Sequence, residues 1–129
     1  MVRNHITDIG QVYFGLIESL KCLINPLLMI VDIRKNSSTF KKWFGCELSE
    51  KNKKQLWIPP GFAHGFYVLS PTCEFLYKTT DFYYPEFEKA IIWNDPEIQI
   101  SWPFQNNFQP KLSEKDKKAV FFSRAELPD

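Results

Sequence analysis

The residue best placed to do chemistry is His64, within Leu56-Trp57-Ile58-Pro59-Pro60-Gly61-Phe62-Ala63-His64-Gly65-Phe66-Tyr67-Val68-Leu69-Ser70. Two apolar runs rich in β-branched and aromatic residues flank a Pro-Pro-Gly punctuation. The pattern reads as strand, tight corner, strand, with the histidine set in the corner between two small residues. Gly61 and Gly65 let the backbone bend on either side, and Ala63 keeps the space beside the imidazole open. Such a setting places a polar group at the mouth of a β-barrel. The plain alternative is a structural histidine satisfied by a backbone carbonyl. A metal centre fits poorly, because the chain has only His5 and His64, and no His-x-His pair. Cys22, Cys46 and Cys73 are odd in number and lack C-x-x-C spacing, which indicates neither a disulfide framework nor a zinc site, and points to a reducing cytosol.

The elements that must position His64 are short and many. Residues 1–129 read as a single domain, long enough to bury a core without staples. A net charge of +1, with both signs interspersed, provides no footprint for nucleic acid or an anionic membrane. The apolar run from Leu23 to Ile33 is too short and too broken by Asn25, Pro26 and Asp32 to span a bilayer, and no cleavable leader pattern opens the chain. Twelve Phe, five Tyr and four Trp, many at alternating positions, favour an all-β core. Strands are predicted around Val12 to Ile17, in one or two pieces through Lys21 to Ile33, and at Phe40 to Leu48, Glu74 to Thr80, Lys89 to Trp93 and Ile98 to Trp102. In Glu74 to Thr80, Phe75, Tyr77 and Thr79 share one face. Ser113-x-x-Asp116 is a helix-start signature, so Asp116 to Glu126 is predicted to form a short terminal helix with Val120 and Phe121 on one side. The sum is a double-sheet jelly roll.

The chain also resembles a known family. Val31-Asp32-Ile33-Arg34 with Ser38-Thr39-Phe40, Leu48-Ser49-x-x-Asn52-Lys53, Ile58-Pro59-x-Gly61-Phe62-Ala63-His64-Gly65-Phe66, Glu74-Phe75-Leu76-Tyr77-Lys78, Asp81-x-Tyr83, Asn94-Asp95-Pro96 and Trp102-Pro103 together look like the dTDP-4-dehydrorhamnose 3,5-epimerases. The resemblance runs from about Val31 to Asp116 and implies a cupin-type jelly roll, a homodimer, and inversion of C3 and C5 of a dTDP-linked 4-keto-6-deoxyhexose. A proton next to the C4 ketone is acidified because its loss gives an enolate, so the reaction needs a base, an acid and donors at the carbonyl oxygen. It requires no metal and no redox cofactor.

Matched motif to motif, Tyr77 falls on the family's proton donor, and His64 on its substrate-contacting histidine. Tyr83 falls on the aromatic that stacks against thymine, Glu88 and Lys115 on positions that contact the nucleotide, and Asp116 on the carboxylate that orients the catalytic base. Alternative roles are a core aromatic for Tyr77, loop packing for Tyr83 and helix capping for Asp116. Asn4 keeps the place of the family's Asn-His-Ser segment, and Lys21 corresponds to its substrate-binding lysine. The family's Arg-Gly-Leu-His-Tyr ends on the general base, but here the base position is Ile17, which cannot take a proton. Glu18 is adjacent, yet strand alternation puts it in the opposite phase unless the register slips by one.

Relative to the family, an N-terminal arm and part of a hairpin between Ile17 and Val31 are missing, so the chain is expected either to dimerise over an exposed strand edge or apolar wall or to be poorly stable. Three readings follow: an epimerase of nucleotide-sugar metabolism; an inactive relative that binds a dTDP-sugar or partners an intact subunit; and a metal-dependent cupin, which the histidine count disfavours.

Overall fold

The computed structural model describes residues 6–7, 17–22, 26–68, 75–79, 88–104 and 110–127. Seven strands are present among them: β1 Ile6–Thr7, β2 Ile17–Cys22, β3 Pro26–Asp32, β4 Trp43–Glu47, β5 Leu56–Ile58, β6 Phe62–Val68 and β7 Phe75–Thr79. They form an antiparallel four-stranded sheet in the order β1-β6-β3-β4 and an antiparallel three-stranded sheet in the order β5-β2-β7. The chain is a cupin-type, all-β jelly roll.

Strand β3 is apolar at every position between its terminal Pro26 and Asp32 because both of its faces are covered. A strand buried on both sides reads as a continuous run rather than an alternation. Leu28 and Ile30 join Leu48, Ile58, Val68, Phe62 and Phe66 in one core. Ile58 and Leu56 come from β5, so this core lies between the two sheets. Met29, Val31 and Ile33 have the opposite phase. Val31 and Ile33 pack with Ala63 against Ile91, Ile98 and Phe122, so the C-terminal segment forms a third, largely irregular layer over the outer face of the larger sheet.

That layer differs from the sequence expectation in three places. Lys89 to Trp93 contributes only a single bridge, Ile91 to Val120, and Ile98 to Trp102 is not a strand. The reason is Asp95, which is buried and accepts hydrogen bonds from Glu97 N, Ile98 N and Phe122 N at 2.9, 3.2 and 2.7 Å. These bonds curl the chain into a turn that ends at Gln99, with φ of 54°, and take the donors that a ladder would need. Instead of a helix from Asp116 to Glu126 there are two 3₁₀ turns, Asp116–Lys118 and Phe122–Arg124. Val120 and Phe121 are exposed, and Phe122 is the residue that enters the core.

Turn residues fix the remaining corners. Gly61 has φ of 86°, and a Cβ there would overlap the Arg34 stem, so only glycine fits. Ser49 and Asn52 bond reciprocally, Ser49 N to Asn52 Oδ1 at 3.0 Å and Asn52 N to Ser49 Oγ at 3.1 Å, closing the turn between β4 and β5.

Candidate active site

His64 is the third residue of β6, not a corner residue, since the corner itself is Pro59–Gly61. Ala63 and Gly65 flank it in the opposite phase. Ala63 is small because it packs beneath the C-terminal layer, not because it leaves room beside the imidazole. In the register of the larger sheet His64 stands opposite Ile30, which stands opposite Phe44 of β4. His64, Phe62, Phe66 and Val68 therefore share the phase that supplies the inter-sheet core. The imidazole is 9% exposed, and burial pushes its pKa down to about 4. It is a neutral ring at neutral pH, able to donate from one nitrogen and accept at the other.

Tyr77 lies on the other sheet, in the middle of β7 opposite Leu20. Thr79, two positions on, is opposite Ile17, and Ile17 is also opposite Ile58. Ile58 is only 2% exposed and belongs to the inter-sheet core. By cross-strand pairing and alternation within β5 and β7, Tyr77, Thr79, Ile17 and Leu20 share the phase of Ile58, since β2 carries one surplus residue, Glu18, between Ile17 and Ser19. Lys21 is opposite Leu76, one position out of that phase. The register does not bring Lys21 together with Tyr77.

Glu88 and Lys115, far apart in sequence, form an ion pair. Next to it, Asp116 is buried, and its Oδ2 accepts from Ser113 N at 3.1 Å and from Ser113 Oγ at 2.7 Å, while Asp116 N donates to Ser113 Oγ at 3.2 Å. The reciprocal bonds read from Ser113-x-x-Asp116 are present, but they close the turn before the 3₁₀ segment Asp116–Lys118, whose own N-cap, Lys115, makes no side-chain cap bond. Asn4 and Tyr83 lie outside the described residues.

One carboxylate was not singled out from the sequence. Asp32, at the end of β3 and 2% exposed, accepts from Arg34 N, Nε and Nη2 at 3.0, 2.9 and 2.7 Å, from Ser37 Oγ at 2.5 Å and from Thr39 Oγ1 at 2.6 Å. The Arg34 guanidinium, helped by both hydroxyls, holds this carboxyl well below the usual carboxylate range. Asp32 pairs with Phe62, two positions from His64, and Arg34 lies over the Phe62 ring at 4.6 Å. The signal was legible as a strand-ending Asp followed at five and seven residues by hydroxyl side chains. Among the described residues no group of three or more His, Cys, Asp or Glu could hold a metal ion, and no helix is long and apolar enough to cross a membrane.

The family model for dTDP-4-dehydrorhamnose 3,5-epimerase matches residues 25–124. A curated dTDP-4-dehydrorhamnose 3,5-epimerase from Pseudomonas aeruginosa is 57% identical over 96 residues, 74% of this chain and 52% of the relative. One from Salmonella typhimurium is 49% identical over 111 residues, 85% of this chain and 60% of the relative. The chain thus spans little more than half the length of these relatives. Among solved structures, the dTDP-6-deoxy-D-glucose-3,5-epimerase RmlC of Legionella pneumophila, in complex with dTDP-4-keto-L-rhamnose, superposes with a TM-score of 0.88. It is 39% identical, and the match covers 98% of this chain and 69% of that one. With matches of this extent, in the same jelly-roll fold, the chain belongs to the dTDP-4-dehydrorhamnose 3,5-epimerase family.

Proposed function

We propose that this chain carries an epimerase site for a dTDP-linked 4-keto-6-deoxyhexose, inverting C3 and C5 on the way to a dTDP-L-rhamnose precursor. The observation that carries the reading is that His64 and Tyr77 occupy the facing phases of the two sheets, with Ile58 of the shared core between their registers. A base takes the proton from the carbon beside C4. The C–H electron pair becomes the enolate double bond, and the carbonyl pair moves to oxygen, where donors such as the neutral imidazole of His64 stabilise it. The Tyr77 phenol returns a proton to the opposite face, and exchange with water resets both groups.

Tyr83 stacks on thymine in this reading, and Glu88, Lys115, Asn4 and Lys21 contact the substrate. Lys21 does so from the phase opposite Tyr77, which makes it the weakest member of the set. Asp116 serves the base. The protein acts without metal or redox cofactor, in the reducing cytosol. It does so as a homodimer, for which β4, an edge of the larger sheet among the described residues, offers exposed Trp43 and Phe44.

The test is binding followed by exchange. dTDP raises the melting temperature of the folded chain by mass action, and Tyr83→Ala weakens that binding by about 1 kcal/mol, the scale of one aromatic stacking contact. Absence of any shift at saturating dTDP sinks the proposal. A second reading is favoured by Ile17, which occupies the phase of Ile58 where the family's base is expected. It is an inactive relative that keeps dTDP-sugar binding or partners an intact subunit. Hydrogen exchange at C3 and C5 of dTDP-4-keto-6-deoxyglucose in deuterium oxide separates the two, since proton abstraction alone labels the carbon.

A further inference from the structure

Two contacts of Arg34 meet at the start of β6. The first is electrostatic. The guanidinium meets the Asp32 carboxylate at two points, Nε on Oδ1 at 2.9 Å and Nη2 on Oδ2 at 2.7 Å, and the hydroxyls of Ser37 and Thr39 also donate to Oδ2. A two-point contact fixes the plane of a guanidinium as well as its charge. The second is steric. The Arg34 stem runs against Gly61, where a Cβ would overlap Arg34 Cγ, and Arg34 Cζ lies 4.6 Å from the centre of the Phe62 ring. Ile33 N donates to Gly61 O at 3.0 Å, so the backbone is tied at the same point. The fixed plane is thus clamped over the last residue of the corner and the first residue of β6.

Phe62 connects this clamp to His64. The two share the inter-sheet phase, and side chains two residues apart stand side by side on one face of a strand. On that face the pair Asp32 and Phe62 comes next after the pair Ile30 and His64. The described neighbours of His64 there are Ile30 across the ladder and Phe62 and Phe66 along β6, and Phe62 is held by the Arg34 cation. An imidazole has two tautomers, so a donor aimed at a developing oxyanion has to keep one nitrogen protonated and the ring in one orientation.

We propose that Arg34 is a positioning residue for His64: its guanidinium, fixed by Asp32, holds Phe62 and the start of β6, and so sets the orientation of the imidazole. This rests on the epimerase reading above, in which His64 donates to the enolate oxygen. Arg34 is itself 46% exposed, so its removal leaves no cavity in the core, and its effect on His64 can be read in a folded protein.

The experiment records the ring nitrogen signals of His64 at neutral pH by long-range proton–nitrogen correlation, with His64→Gln distinguishing them from those of His5. Deuterium incorporation at C3 and C5 of dTDP-4-keto-6-deoxyglucose and the dTDP melting shift are measured in parallel. The unmodified protein is expected to show two well-separated His64 nitrogens, one protonated and one not. In Arg34→Ala the two are expected to draw together, as in an imidazole that exchanges tautomers freely. Exchange at carbon is expected to fall by roughly 10–10²-fold, the scale of a donor misplaced rather than deleted, with the dTDP shift kept. Arg34→Lys, which keeps the charge but neither the two-point contact nor the plane, is expected to behave like Arg34→Ala. Asn52→Ala, which opens the turn between β4 and β5, is expected to lower the melting temperature and leave the ring signals in place. Ring signals unmoved in both Arg34 variants, ring signals moved equally by Asn52→Ala, or carbon exchange unchanged in Arg34→Ala overturns the assignment. Exchange at the protein-free rate in the unmodified protein, or no dTDP shift, overturns the epimerase reading instead. The ring signals need no turnover and still decide whether Arg34 places His64.

Discussion

The two sheets of this jelly roll are held in register by different means. In the four-stranded sheet β3 pairs with β6 over seven successive residues, Pro26 with Val68 through Asp32 with Phe62, and with β4 over five, without a break. In the three-stranded sheet the central strand β2 slips by one residue against both neighbours. An unbroken ladder buried on both faces specifies register strongly, because a shift by one residue turns every core side chain to the wrong side. A bulged strand gives up one ladder position and gains freedom for one side chain. The larger sheet therefore reads as the scaffold that fixes His64, and the smaller one as the place where a departure in sequence can be absorbed.

Single-residue deletions break this comparison most directly. Deleting Met29 from β3 inverts the phase of one half of the strand relative to the other. The expected outcome is no folded protein, a loss of the whole 5–15 kcal/mol or so that stabilises a typical domain. Deleting Glu18 instead removes the surplus residue and restores an even ladder, so chemical denaturation is expected to show a change within about 1 kcal/mol, one residue's worth of strand pairing. A Glu18 deletion as damaging as the Met29 deletion would mean that β2 needs its bulge to fold.

Next in size is Asp95→Ala, which leaves three backbone donors, two of them buried, without their acceptor. An unsatisfied buried group costs about 1–3 kcal/mol, and a total of about 3 kcal/mol is expected in urea melts, with the C-terminal layer loosening first.

A similar magnitude is expected from pH, in a defined window. The pKa of His64 is about 4 in the folded chain and 6.5 in its ordinary state. The unfolded chain binds the proton more tightly, so the stability due to the neutral ring is fully present above pH 6.5 and is lost as pH falls from 6.5 to about 4. About 3 kcal/mol is at stake across that window, at 1.36 kcal/mol per pKa unit. Asp32, whose folded pKa is lowered, contributes stability present above its ordinary value of 3.8 and lost below it. The two residues of the larger sheet thus act in successive windows. Melting temperatures recorded between pH 7 and pH 4.5 should fall for the unmodified chain and stay flatter for His64→Gln, and an equal slope in both would locate the sensitivity elsewhere.

Strands β5, β6 and β7 were legible in the sequence because alternation and Pro-Pro-Gly punctuation are local signals, whereas β2 runs from Ile17 to Cys22 across the gap between the two strands expected there. The C-terminal layer was not. Its apolar residues, Ile91, Ile98 and Phe122, have the spacing of strands or a helix, but periodicity records burial and not the partner of each N–H. Asp95 redirects three of those N–H groups, one of them 27 residues away, and no window of sequence reveals that. For the site, the face shared by Phe75, Tyr77 and Thr79 follows from the strand pattern, whereas His64, read as a corner residue at a barrel mouth, lies buried inside β6. The bulge at Glu18 does not follow from the pattern, because it exists only in relation to Thr79, Lys78 and Ile58 on two other strands, and alternation within β2 alone puts Glu18 in the opposite phase.

The bond from Phe122 N to the Asp95 carboxylate also bears on the order in which the chain can fold. Val31 and Ala63 belong to strands that can pair early, yet the apolar face they share is covered only when residues around Ile98 and Phe122 arrive. Closing a loop of this length costs little more entropy than closing a shorter one, but it has to wait for the chain. During synthesis the outer face of the larger sheet stays wet until Ile98 and Phe122 have emerged. The nascent protein therefore carries this apolar surface over some sixty residues of elongation after Ala63 and hides it when the buried Asp95 catches the backbone of Phe122.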